Sequence, residues 1–185
     1  MANKKSALVF LLFSITATVA ASAQTQVFVP GNASGCFGNP DDGCVPLVAA
    51  IAVNAPGTIT VAYVDGTVNY GEFGVEVGPN GGYYPANGGQ YPLQEAKGIS
   101  PHKPIQNMAA LIGAFVPAAR VAHKGFVAID ATKAASRVGI MPGSVFFVGE
   151  SRTIEVKEAG TLFLGVNDNG VVDNSGGFNL EVTVQ

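Results

Sequence analysis

The chain has 185 residues, of which 12% are charged and 48% hydrophobic, with 24 Gly, 11 Pro, 2 Cys, no Trp and a formal net charge of −3. About 25% charged residues is usual for a soluble globular domain, so this composition argues against a basic nucleic-acid binder, a coiled coil or a charge-rich disordered tail. Thirteen Asp and Glu against ten Lys and Arg leave no electrostatic footprint for phosphate.

The chain opens with Lys4 and Lys5, an apolar run from Ala7 to Ala20, and Ala21-Ser22-Ala23 before Gln24. That is the three-part pattern of a cleavable signal peptide, residues 1–23, and the apolar run is shorter than the roughly 20 residues that span a bilayer. Its removal leaves a domain of residues 24–185 and lowers the formal charge from −3 to −5, because both lysines go with it. No other segment is long and apolar enough to cross a membrane, so the mature chain is expected to be secreted or periplasmic. In such a compartment Cys36 and Cys44 are most simply a disulfide. Closing so short a loop stabilises by about 2.5 kcal/mol in the chain-entropy model. Asp41 and Asp42 inside that loop are either metal ligands or ordinary turn residues, since Asn39-Pro40-Asp41-Asp42-Gly43 is turn chemistry.

Short apolar or alternating runs follow, each bounded by Gly, Pro, Asn or Asp: Gln26 to Val29, Val45 to Val53, Thr58 to Val64, Ala109 to Val116, Gly125 to Ile129, Val145 to Val148, Thr153 to Val156, Thr161 to Val166 and Phe178 to Val184. They predict an all-β chain folded as a single β-sandwich or jelly roll. The last run places Phe178, Leu180, Val182 and Val184 on a core face, with Asn179, Glu181 and Thr183 outward. Only Ala131 to Val138 has a composition suited to a short helix. Gly78 to Pro104 reads as a long loop dense in Gly, Pro and Tyr, the kind that is commonly functional or poorly ordered.

Between the last two runs lies Asn167-Asp168-Asn169-Gly170-Val171-Val172-Asp173-Asn174-Ser175-Gly176-Gly177. Two carboxylates, an amide and several carbonyls in one inter-strand loop are hard oxygen donors of the kind calcium prefers, six to eight at about 2.3–2.6 Å. The same composition is also that of a plain turn, and the spacing is not that of an EF-hand.

The stretch from Gly165 to Phe178, followed by the alternating final run, resembles the C-terminal signature of the LecA (PA-IL) galactophilic lectin family. Asn54-Ala55-Pro56-Gly57 with the run to Val61, then Asn69-Tyr70-Gly71, is similar to that family's Pro-Gly turn, strand and Tyr-Gly. Ala109 to Gly113 resembles its Gly-Ala-Leu strand, and Phe146-Phe147-Val148-Gly149 is similar to its broader secreted relatives. The resemblance implies a galactose-binding-like sandwich with one calcium ion at its end. The ligands it implies are the Tyr70 carbonyl, Asp168, a carbonyl among Gly170 to Val172, Asp173 and Asn174. The loop here is two residues shorter, and Asp173 stands where the lectin has Asn, which removes a hydrogen-bond donor.

The expected function is therefore a secreted, calcium-dependent carbohydrate-binding protein, with galactosides as the partners the resemblance suggests. The alternative is a structural or surface-associated sandwich in which calcium only stabilises the loop. Tyr83, Tyr84 and Tyr91 either stack on a sugar face or pin the long loop to the sandwich. Ser100, His102 and Asp130 lack a nucleophile elbow, no closely spaced His pair suits zinc, and Asp41 with Asp42 are adjacent rather than opposed, so no enzyme is expected. Single sugar sites bind weakly, which makes a homo-oligomer the natural route to avidity.

Overall fold

The structure is a computed structural model that describes residues 22–34, 45, 47–71, 74–84, 105–118, 145–168 and 171–185. The expected runs Gly125 to Ile129 and Ala131 to Val138, the signal peptide up to residue 21, and Cys36, Cys44 and Tyr91 lie outside the described residues.

Two antiparallel sheets make the sandwich. In the first, β12 (Asn174–Val184) is central. One of its edges carries β1 (Ala23–Pro30), with Ala23 opposite Val184 and Pro30 opposite Gly177. The other edge is shared by two consecutive strands, β3 (Gly57–Asp65) against Asn179–Val184 and β4 (Val68–Tyr70) against Asn174–Gly176. Outside these, β5 (Glu76–Val77) pairs with β4, and β10 (Ser151–Val156) with β3. The second sheet runs β2 (Val48–Val53), β11 (Gly160–Val166), β8 (Leu111–Pro117), β9 (Val145–Phe147). Separately, β6 (Gly82–Tyr84) and β7 (Ile105–Met108) pair as a two-stranded antiparallel sheet. Among the described residues no helix is long and apolar enough to cross a membrane.

The period-2 pattern of β12 sets the core. Phe178, Leu180 and Val182 are fully buried, and Val184 packs against the cluster's edge. They meet Val27, Val29, Ile59 and Val61 of their own sheet and Leu162, Leu164, Val166 and Leu111 of the facing one. Each such side chain, taken out of water, stabilises by about 1.5–3 kcal/mol. Tyr63 stands edge-on to Phe178, centroids 6.2 Å apart at 79°. Its hydroxyl donates to the Gly66 carbonyl at 2.7 Å, which ties the β3–β4 corner to the core.

The second sheet is covered on both faces. Leu47, Ile112, Ala114, Val145 and Phe163 form a separate buried cluster on the side away from the main core. This explains why Leu111–Ala114 is continuously apolar instead of alternating. Four strands were not foreseen: β4, β5, β6 and β7 are each two to four residues long. The Gly78 to Pro104 stretch is accordingly not one loop throughout, since Gly82–Tyr84 pairs with Ile105–Met108 beyond it. The expected run from Val45 begins as a strand only at Val48, and Val45 forms a lone parallel bridge with Ala33.

Candidate functional site

At one end of the sandwich β11 runs out at Val166, β4 at Tyr70, and β12 begins at Asn174. Backbone pairing alone sets Tyr70 directly opposite Asn174. The loop after β11 is clamped by the turn between β7 and β8: the Ala109 N–H donates to the Asn167 carbonyl at 3.0 Å and the Asn167 N–H to the Ala110 carbonyl at 2.9 Å. Ala109 holds a left-handed φ of 57° to do this, in a fully buried position. A residue with a Cβ pays roughly 1–2 kcal/mol for that conformation, so the clamp is held by its surroundings.

Asn167 and Asp168 follow, each 1% exposed. A carboxylate so deeply buried needs partners. One is the Asn174 side chain, whose Nδ2 donates to Asp168 Oδ2 at 3.0 Å and also to the Gly31 carbonyl at 2.9 Å. Both contacts accept only, so the amide orientation is determined: nitrogen faces Gly31 and Asp168, oxygen faces away. The Asn174 N–H closes a turn on the Val171 carbonyl at 3.1 Å. Val171 is buried at 2%, whereas Val172 is 73% exposed and Asp173 is exposed beside it. Asp173 in turn lies against the Cα of Gly71, the residue after Tyr70.

Four residues singled out in the sequence, Tyr70, Asp168, Asp173 and Asn174, therefore lie together, drawn from β4, the loop after β11 and the start of β12. The start of Gly78 to Pro104 lies beside them. The Pro79 carbonyl accepts from the Leu111 N–H at 2.9 Å, and a Cβ built on Gly82 would be 3.0 Å from the Tyr70 hydroxyl oxygen. Tyr83 and Tyr84 thus fall on a strand rooted at Tyr70.

Does this end suit a calcium ion? Among the described residues there is no group of three or more His, Cys, Asp or Glu able to hold a metal. Any ion at this end would draw on two carboxylates, an amide and carbonyls. One atom fits that role: Asn174 Oδ1 is buried and has no hydrogen-bond partner. An acceptor left so costs about 1–3 kcal/mol, and an ion is one of the few ways to satisfy it. The donor set is compatible with calcium. Gly71, Ala109 and the Gly31 carbonyl were missed in the sequence, where the only signal was Gly71 within the Tyr-Gly pair.

No protein-family model matches the chain, and no curated protein is significantly similar to it. Among solved structures, an EclA N-terminal domain described as a PllA-like lectin is similar over 88% of this chain and 95% of that chain, at 19% identity and a TM-score of 0.42. The all-β, two-sheet fold stands on this chain's own strand pairing.

Proposed function

We propose that the protein is an exported, calcium-dependent carbohydrate-binding protein whose site is the strand-end cluster of Tyr70, Asp168, Asp173 and Asn174. The observation that carries this reading is the buried, unpartnered Oδ1 of Asn174, on the same amide whose nitrogen holds the buried Asp168 carboxylate. The motif resemblance from Asn54 to the C-terminus supports it. When bound, calcium would supply two open coordination positions for vicinal sugar hydroxyls, since two carboxylates, one amide oxygen and two carbonyls make about five of roughly seven ligands.

The chain's own groups do the rest. Asp168 and Asp173 accept hydrogen bonds from the same hydroxyls, and charge-assisted bonds of this kind are stronger than neutral ones. The exposed flank of Asp173 and Val172 is the side from which a ligand approaches. With Asp at 173 the protein offers no donor there, so the preferred sugar must present hydroxyl donors to it. Tyr83 and Tyr84, on β6, and Tyr91 are the aromatic candidates for a sugar face.

Calorimetric titration with galactosides, with and without chelator, tests the reading. Binding is expected only with calcium, and it should vanish in Asp168→Ala with Asp173→Ala. A second reading is favoured by one observation: Asn174 braces Gly31 and Asp168 together, so calcium would also lock the loop to the end of β1. A protein that takes up calcium and melts at a higher temperature, yet ignores every sugar, would establish that structural role instead.

A further inference from the structure

Gly71 has φ +98°, and its Cα faces the Asp173 carboxylate. A Cβ built there would lie 2.8 Å from Asp173 Cγ, 3.1 Å from Oδ1, and nearer still to Oδ2. All three nearest atoms belong to that one carboxylate. By contrast Gly74, whose N–H donates back to the Gly71 carbonyl at 3.0 Å, also has a positive φ of +59° but nothing within 4 Å of a built Cβ. The two glycines therefore separate two demands. Gly74 answers backbone conformation alone, whereas Gly71 also leaves the volume that the carboxylate fills.

We propose that Gly71 is a positioning residue for the site: the absence of a side chain there seats the Asp173 carboxylate against the β4 terminus, next to Asn174. The inference rests on the calcium reading given above and adds to it the residue that sets the exposed carboxylate's place. Asp173 is exposed on a turn, and its carboxylate lies against the bare Cα of Gly71. A methyl at 71 overlaps the carboxylate and must displace it from that place. Residues that orient a ligand without touching the metal typically contribute 10–100-fold in affinity.

The test is a double-mutant cycle read by calorimetric titration of the full mature chain with calcium chloride alone, with melting temperature in chelator measured beside it. Gly71→Ala should weaken calcium binding at least tenfold. Gly74→Ala should leave it unchanged. In an Asp173→Ala background, Gly71→Ala should cause no further loss, because the atoms it would displace are gone. Equal affinity in Gly71→Ala and wild type overturns the proposal, and so does a further loss in the double variant, which would place the effect in the backbone at Tyr70. If Gly71→Ala does not fold, the double variant decides: recovery of folding supports displacement of the carboxylate, and continued failure overturns it. A wild-type chain that takes up no calcium removes the calcium reading itself and this inference with it, a result distinct from all of these.

Discussion

Asn174→Ala probes the site through stability. In the absence of calcium the side chain makes two hydrogen bonds, to the Gly31 carbonyl at 2.9 Å and to Asp168 Oδ2 at 3.0 Å. A neutral bond contributes about 1 kcal/mol net and one to a charged group about 2. Removing the unpartnered Oδ1 offsets about 1 kcal/mol of that loss, leaving a net destabilisation of about 2 kcal/mol. For a chain of this size each kcal/mol moves Tm by about 2–4 °C, so the variant should melt about 4–8 °C lower in chelator. With calcium at a hundredfold excess over Kd, wild type should gain about 2.7 kcal/mol, a rise of about 5–11 °C. The variant lacks the amide ligand and should show only a fraction of that rise. Scanning calorimetry in chelator and in calcium gives both numbers from the same two samples. A calcium-induced rise of equal size in the two proteins refutes the assignment of Oδ1 as a ligand. An unchanged Tm in chelator refutes the structural role of the two hydrogen bonds.

Phe178→Ala removes a fully buried ring from the centre of β12 and should cost about 3–5 kcal/mol, read as a lower midpoint in urea at an unchanged slope. Ala109→Gly and Ala114→Gly each delete a fully buried methyl, but only Ala109 has positive φ. Relief of the left-handed strain should make Ala109→Gly nearly neutral, while Ala114→Gly loses about 1 kcal/mol or more; equal losses would show that the turn at 109 is not strained. The Ala33–Val45 bridge draws together the chain on either side of residues 35–44. On the proposed export, thiol titration of the denatured protein should find no free Cys36 or Cys44, and two titratable thiols would refute the disulfide.

How much of this was legible in the sequence depends on length and on which faces are covered. In β12 a single core face extends over three turns of the pleat, so alternation alone orients Phe178, Leu180 and Val182. In β8 both faces are buried, and an apolar run marks a strand without saying which way Ile112 points. β4, β5, β6 and β7 are too short to show any period, and they exist because a longer neighbour offers an edge. Val68–Tyr70, for instance, takes the part of the β12 edge that β3 leaves unpaired. The two Asp and Asn174 were visible because hard donors crowd one loop. Gly71 and Ala109 were not, since the first answers to a carboxylate and the second to Asn167, each brought near only by tertiary folding.

The order of Asp173 and Asn174 follows from that same edge. β1 leaves β12 at Pro30, and the next contact, Gly31 N–H to the Gly176 carbonyl at 3.0 Å, is the last main-chain bond there. Beyond it the Gly31 carbonyl still needs a donor, because buried backbone groups do not go unpaired without cost. Asn174 supplies that donor from its side chain and uses its second N–H on buried Asp168. A carboxylate at 174 has no N–H to give and would set two like charges side by side, so the fold demands an amide there. At 173 the side chain is exposed and backed by a glycine, and a carboxylate is tolerated. The fold thus brings one amide and two carboxylates to the same strand end, although only the amide is required to complete the edge. Asn174→Asp should consequently destabilise the chain in chelator more than Asp173→Asn does. The opposite ranking by Tm would mean that the amide at 174 is not what completes the edge of the sheet.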